Sequence, residues 1–284
     1  MMTASWDRSS VAEEHLRLLM ARSETLRLPE PVAGGFGCLG PGPLPESGFG
    51  RVNPGFRAYL DRRYHKVVLL VDFIASVGAV GAAAVVEACE SFASGSARQW
   101  LKVAGDVKAD LIDRCLEARR STDMSVVAEF GAFVGYSCVR MAWRGGPGTR
   151  VISMESDAVH VLVARHIAII ARQSFAAEVV PGMAHDVVAR LPEEWGCGGT
   201  GFAFMDHRGT RFHAELRQLE QLRAMGPGSR LLADNTLKPG APEFLWNLLH
   251  CTPTVPHAGF LSWSVPEFLT DSCEDWMTAA DCRP

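Results

Sequence analysis

Apolar and polar residues follow one another along the chain in blocks that predict strands alternating with helices from residue 126 onwards. Short apolar runs predict strands at 126–130, 149–155, 178–181, 201–206 and 229–234. Helical periodicity predicts helices between and after them at 135–143, 157–175, 185–191 and 212–225. This alternation predicts an α/β fold with a parallel, doubly wound, Rossmann-like sheet and helices on both faces.

Both ends of the chain depart from this alternation. After a helix at 242–250, two segments at 259–265 and 276–280 predict a hairpin that closes the sheet with an antiparallel edge. Ahead of the sheet we expect helices within 57–92 and 105–118, and an amphipathic helix at 10–28. Because 28–56 is rich in proline and glycine, we predict an N-terminal helix and flexible linker at 1–56 and one folded domain at 57–284.

Composition points to a globular protein with a small-molecule partner. The 284 residues are 48% hydrophobic and 21% charged, and the net charge of −4 disfavours binding to nucleic acid or an anionic membrane. The apolar run 67–86 approaches the length of a membrane helix, but Asp72 and its many small residues favour a buried or interhelical segment. Eight scattered cysteines without a C-x-x-C pair, and no signal peptide, predict a cytoplasmic protein, which we expect to be monomeric.

A glycine-containing turn follows the first predicted strand. The segment Glu129-Phe-Gly-Ala-Phe-Val-Gly-Tyr-Ser137 places Gly131 and Gly135 where a ligand can approach the backbone. Dinucleotide-binding turns need G-x-G-x-x-G to hold a pyrophosphate, so this spacing disfavours a dehydrogenase and suits S-adenosylmethionine, which carries no phosphate. The alternative interpretation is that the two glycines only close a strand–helix turn.

Acidic residues lie at or beside the ends of the predicted strands, where α/β sheets bind ligands. Glu155 follows the glycine turn at the distance typical of a carboxylate that binds ribose hydroxyls. Asp206, Asp234 and Asn235 offer three hard oxygen donors from two strand ends, a set that suits Mg²⁺. The alternative for these acids is helix capping.

From about residue 84 to residue 277, the chain resembles the catechol O-methyltransferase family, whose members depend on S-adenosylmethionine and Mg²⁺. The glycine turn carries the resemblance, together with Phe204-Met-Asp-His207 and Leu232-Ala-Asp-Asn-Thr-Leu-Lys-Pro-Gly-Ala-Pro242. Trp100-Leu-Lys-Val-Ala-Gly-Asp-Val-Lys108 is a weaker match.

The resemblance implies a role for each matching position. It implies that Asp206, Asp234 and Asn235 bind the metal and that Glu155 binds the ribose. The other implied cofactor contacts are Ala104, Glu129, Gly131, Gly135, Tyr136, Ser137, Ser156, Ala184, His185 and His207. The implied substrate contacts are Trp100, Arg208, Pro239, Leu261 and Ser262.

Three departures from the family affect the expected chemistry. The family's general base is a lysine three residues after the first metal aspartate, and Gly209 stands there instead. Its substrate-binding glutamate aligns with Ser262, and Arg208 replaces an aromatic residue. Lys238 and His207 are therefore our candidates for the proton acceptor.

The resemblance implies that an O-methyltransferase moves a methyl group to a hydroxyl of a Mg²⁺-chelated catechol. Positioning and metal electrostatics supply most of the rate in such a reaction, and a dedicated base adds about 10²- to 10⁴-fold. The missing lysine leaves a second hypothesis open, namely a degenerate member that binds the cofactor or a partner without useful catalysis.

Overall fold

The structure is a computed structural model, and it describes residues 54–95, 101–118, 126–250, 257–266 and 274–282. The predicted helix at 10–28 and the linker up to residue 53 lie outside the described residues, so the predicted boundary after residue 56 stays a prediction. Contacts between residues separate the chain into units 1–65 and 66–284, and the sheet lies in the second unit.

Among the described residues, three helices precede the sheet in the chain, and one more α-helix lies between its fifth and sixth strands. The first three are α1 (Pro54–Ser76), α2 (Ala82–Ser94) and α3 (Val107–Glu117). The alternating region is β1 (Val126–Phe130), α4 (Tyr136–Arg144), β2 (Arg150–Glu155), α5 (Ala158–Ile170), β3 (Ala177–Pro181), α6 (Ala184–Val187), α7 (Arg190–Trp195), β4 (Thr200–Met205), α8 (Gly209–Gln221) and β5 (Met225–Ala233). It is followed by a π-helical turn (Thr236–Gly240), α9 (Pro242–Leu249), β6 (His257–Pro266) and β7 (Glu274–Cys282).

The seven strands form one sheet in the order β3-β2-β1-β4-β5-β7-β6. The first five are parallel, and β7 runs antiparallel to both β5 and β6. The predicted doubly wound sheet with an antiparallel C-terminal edge is therefore confirmed.

Alternate residues of the central strands enter two separate cores, one on each face of the sheet. Val127 packs in the core that contains buried residues of α2 to α5, whereas Ala128 and Phe130 pack with α8 and α9. All five residues of β1 are buried, as expected for a strand covered on both faces. The carboxyl ends of the parallel strands are thus held at one edge by packing on both sides.

The apolar run at 67–86 is divided between two helices and the turn that joins them, where Val77 and Val80 are exposed. It spans the end of α1, a turn after Ser76, and the start of α2, and Val67, Leu70 and Ile74 are buried in the core. Within the described residues, none of the helices combines the length and hydropathy that a membrane crossing requires.

Several predicted boundaries are wrong, among them those of the helix expected at 212–225, which spans Gly209–Gln221. The helix expected at 157–175 ends at Ile170, and the one expected at 185–191 is replaced by two short helices, α6 and α7. Strand β5 begins at Met225 instead of residue 229, because Ser229 Oγ accepts from Gly226 N–H (3.1 Å) and donates to Thr200 O (2.7 Å). These bonds keep the Gly-Pro-Gly segment beside β4, although glycine and proline usually mark a turn.

Candidate functional site

The predicted metal donors lie together because their backbones extend the parallel ladder. Asp206 N–H donates to Phe130 O (3.0 Å), and Asp234 N–H donates to Met205 O (2.9 Å). Strands β4 and β5 are paired up to Met205 and Ala233, so the two aspartates follow adjacent strand ends.

A buried lysine holds Asp234. Lys108, in the first turn of α3, is 3% exposed, and its Nζ lies 2.8 Å from Asp234 Oδ1 and 3.0 Å from Oδ2. The same Nζ lies 3.8 Å from Asp275 Oδ2 on β7. A buried ammonium therefore already offsets part of the negative charge at the site.

Asn235 is held at both ends of its side-chain amide. Its backbone is left-handed (φ 55°), a conformation that asparagine tolerates better than most residues. Its Oδ1 accepts from Lys102 Nζ at 3.3 Å, and its Nδ2 donates to Asp275 Oδ2. Asp275 also accepts from the backbone N–H groups of Lys238 (2.9 Å) and Trp276 (2.7 Å), so this aspartate ties the edge hairpin to the turn after β5.

The two candidate metal carboxylates repel one another. Burial and the charge of Asp234 raise the pKa of Asp206 well above its usual range, although Lys108 and Lys102 lower it in part. Burial also raises the pKa of Asp234, against the opposing effect of Lys108. A cation bound between the carboxylates would relieve this repulsion. Among the described residues, no three His, Cys, Asp or Glu side chains form a cluster suited to a metal. A metal bound by Asp206 and Asp234 would therefore take Asn235 as its third protein donor.

The fold itself requires both glycines of the turn. Gly131 (φ 101°) and Gly135 (φ 84°) adopt conformations that other residues rarely take. A Cβ on Gly131 would lie 2.9 Å from the carbonyl oxygen of Asp206, and one on Gly135 would lie 2.9 Å from Ala164 of α5. Close packing thus explains both positions, and their contact with a cofactor stays a prediction.

Two glutamates flank this turn. Glu129 is fully buried, and burial raises its pKa to about 7. Its Oε2 accepts from Ser153 Oγ, whereas its Oε1 has no hydrogen-bond partner among the described residues; Ser137 and Ser153 lower the pKa of this carboxyl in part. Glu155 accepts from Phe133 N–H (2.9 Å) and Asp157 N–H (2.8 Å), which fix the carboxylate and leave lone pairs for a ligand.

Tyr136 and His207 are both engaged within the protein. The hydroxyl of Tyr136 donates to Glu90, which also accepts from Arg140 (3.0 Å). The Nε2 atom of His207 bonds to the buried carboxylate of Glu215, and its ring stacks on Phe130 with centroids 5.7 Å apart. Because Nε2 is bonded to Glu215, only Nδ1 could accept a proton, and this buried atom has no hydrogen-bond partner among the described residues, so the role of His207 as a proton acceptor stays a prediction.

The remaining predicted contacts are placed as follows. Ala104 and Ser137 are buried, whereas Ser156 is exposed. His185 O accepts from Gln218 (2.7 Å) and its ring contacts Arg211 (3.3 Å), next to the half-buried Ala184. Arg208, Lys238 and Pro239 are exposed, and so is Leu261, at 67%. Trp100 lies outside the described residues.

Ser262 is linked to the turn after β5 by hydroxyl groups. Its Oγ lies 2.8 Å from Thr278 Oγ1, which lies 2.7 Å from Thr236 Oγ1. Thr236 follows Asn235 directly, so the position where the family has a glutamate is connected to the candidate metal site.

Gly209 lies where the family's lysine is expected, and a side chain does not fit there. A Cβ on Gly209 would lie 2.6 Å from the carbonyl oxygen of Gly240 and 3.3 Å from Ala241 Cβ. The turn at 236–240 therefore packs directly against the backbone of Gly209, at the position where the family has its base.

Sequence reasoning missed Lys102, Lys108, Asp275 and Glu215 as parts of the site. Lysine and arginine together number 28 in the chain, and only four of these residues are lysines, namely Lys66, Lys102, Lys108 and Lys238. Three of these four lie at the site or in the turn beside it. Because the other basic residues of the chain are arginines, the choice of lysine at these positions was the sequence signal that could have identified Lys102 and Lys108.

Comparison with solved structures defines the class of fold. The O-methyltransferase from Bacillus cereus in complex with SAH covers 71% of this chain and 90% of its own at a TM-score of 0.54 and 19% identity. TomG from Streptomyces achromogenes, an O-methyltransferase in complex with SAM, covers 70% and 90% at a TM-score of 0.57 and 16% identity. The chain thus has the Rossmann-like fold of these O-methyltransferases.

Comparison with curated proteins identifies the family. Catechol O-methyltransferase from Sus scrofa is 31% identical over 147 residues, covering 52% of this chain and 77% of the pig protein. The Bos taurus enzyme is 32% identical over 161 residues, 57% of each chain, so the match spans little more than half of that relative. No protein-family model matches. The chain belongs to the catechol O-methyltransferase family.

Proposed function

We propose that this protein is an O-methyltransferase that transfers the methyl group of S-adenosylmethionine to a hydroxyl of a small, Mg²⁺-chelated catechol. The observation that supports this most is the convergence of Asp206, Asp234 and Asn235 on one sheet edge. The glycine turn follows β1, which contains Glu129, and Glu155 ends the neighbouring parallel strand β2 at the same edge.

The donor set fits Mg²⁺. Two carboxylates and one amide oxygen are the hard ligands that Mg²⁺ prefers, and the raised pKa of Asp206 reflects a carboxylate short of positive charge. When bound there, the cation would lower the pKa of a coordinated phenol, which is about 10 in water. Lys108 would hold Asp234 in place, and Asp275 would orient the amide of Asn235.

The turn fits S-adenosylmethionine, which supplies the methyl group. The unpartnered, buried Oε1 of Glu129 is suited to accept from a donor of the ligand. Glu155, fixed by two backbone amides, is suited to accept from ribose hydroxyls.

The proton acceptor differs from that of the family. Arginine does not deprotonate in proteins, so Arg208 cannot take this role. Lys238 lies in the turn directly after the metal donors, with its side chain exposed, and we assign it as the candidate base.

Replacing Lys238 with methionine should lower kcat by about 10²-fold or more, with little change in cofactor affinity. The measurement is a pH–rate profile of methyl transfer for both proteins. An unchanged kcat and profile would exclude Lys238 as the base.

A degenerate family member is the second candidate. The observation that favours it is the contact of Gly209 with the turn, which leaves no room for the family's base. Such a protein would bind the cofactor without turning over a catechol.

One experiment separates the two. We would titrate S-adenosylmethionine calorimetrically with and without Mg²⁺, and then assay methyl transfer to dihydroxybenzoate and other simple catechols. The enzyme should bind the cofactor and show Mg²⁺-dependent transfer, and Asp206→Asn should lose transfer while it still binds the cofactor. Binding without transfer to any catechol would support the degenerate alternative, and no binding would refute both.

A further inference from the structure

Lys102 is placed over one of the candidate metal donors. It lies between the buried residues Leu101 and Val103, in the segment that leads into α3, and its own side chain is exposed. Its Nζ lies 3.3 Å from Asn235 Oδ1, across 133 residues of chain. Because Asp275 binds Nδ2 of the same amide, Oδ1 is the end directed at Lys102.

The ammonium group occupies a position at Asn235 Oδ1 that a bound cation would contact. Asn235 follows Asp234 directly, and Asp206 follows the end of the adjacent strand. Lys102 therefore lies at the sheet edge where all three candidate donors converge.

The two lysines of the site differ in their freedom to move. Lys108 is buried and bonded to both oxygens of Asp234, so it is a fixed part of the structure. Lys102 has an exposed side chain with a flexible four-carbon stem, so its ammonium group can leave Asn235 for solvent at little cost.

We propose that Lys102 is a built-in cation that competes with the divalent metal ion for this site, so that metal binding requires the lysine side chain to swing away. This inference rests on the proposed function, because it concerns the same three donors. It predicts that the protein binds Mg²⁺ and Mn²⁺ more weakly than its oxygen donors alone would allow.

The test is a titration with Mn²⁺, followed by electron paramagnetic resonance of the free ion. Lys102→Met keeps the length of the side chain and removes its charge, and we expect it to bind Mn²⁺ at least about tenfold more tightly than the wild type. Lys102→Arg keeps the charge and should bind about as weakly as the wild type. Lys66→Met is the matched control, because it removes one lysine charge outside the site, and it should leave the Mn²⁺ affinity unchanged.

Three outcomes of the Mn²⁺ titration decide whether Lys102 competes with the metal ion. Tighter binding by Lys102→Met alone would support the proposal. Equal or weaker binding by Lys102→Met would overturn it and leave the proposed function intact. If neither protein binds Mn²⁺, the inference and the metal part of the proposed function both fail, while calorimetry with S-adenosylmethionine still tests the cofactor part. Circular dichroism of each variant checks that it folds.

Discussion

Replacing Gly209 with alanine should destabilise the protein, although the same change usually stabilises a helix. Gly209 is the first residue of α8, where alanine is intrinsically favoured over glycine by up to about 1 kcal/mol. The new Cβ would, however, lie 2.6 Å from the carbonyl oxygen of Gly240. Close carbon–oxygen contacts are about 3.3–3.6 Å long, so the turn would have to retreat by about 0.7–1.0 Å.

The magnitude follows from what holds that turn. Gly240 N–H donates to Asn235 O (3.2 Å), and Ala241 N–H donates to Thr236 O (2.9 Å). Overpacking against such a restrained backbone costs about 1–3 kcal/mol. After subtracting the helical preference of alanine, we expect a net loss of up to about 2 kcal/mol in the free energy of unfolding.

Urea denaturation followed by circular dichroism measures this loss. Gly105→Ala is the matched control, because its Cβ would meet Glu90 Cγ at an ordinary 3.6 Å, and it should be neutral or slightly stabilising. A stability of Gly209→Ala equal to or above the wild type would refute the argument. It would also mean that the turn yields easily, so that a lysine could be accommodated at residue 209.

The remaining predictions concern two buried charges. Lys108→Met leaves Asp234 and Asp275 without their ammonium partner. It should lower the free energy of unfolding, measured by chemical denaturation, by about 3–5 kcal/mol, whereas Lys66→Met should lower it far less. Similar losses for the two variants would show that the pair of Lys108 and Asp234 contributes little to stability. Glu129 has a native pKa of about 7 against an ordinary 4.5, so the native state binds more protons than the unfolded state between these values. Wild-type stability should therefore fall by about 3 kcal/mol relative to Glu129→Gln as pH rises from about 4.5 to beyond 7. Parallel stability curves for the two proteins would mean that Glu129 keeps its ordinary pKa.

The parallel strands and the placement of the three candidate donors at one edge could be predicted because both depend on local signals. Short apolar runs identified the parallel strands, and Asp206 and Asp234 each follow such a run directly. In a parallel sheet this is enough to bring them to one edge.

The partners of those donors could not be predicted in the same way. Lys108 and Asp275 reach Asp234 and Asn235 from 126 and 40 residues away. Their pairing depends on how α3 and β7 pack on the sheet, which no local pattern encodes. The glycines were also ambiguous, because packing against Ala164 and approach of a ligand both exclude a Cβ.

The position of β7 has a consequence for the order in which the protein is built on the ribosome. This strand is the last of the seven in the chain, yet it lies between β5 and β6, and it carries Asp275. A nascent chain can therefore form β1 to β5 and expose Asp234 and Asn235 before the residue that orients the amide of Asn235 has been synthesised. The chain is synthesised at about 5–20 residues per second, so the candidate metal site would be completed only after β7 has emerged and inserted beside β5. Stalled or truncated chains would then have most of the sheet without a finished site.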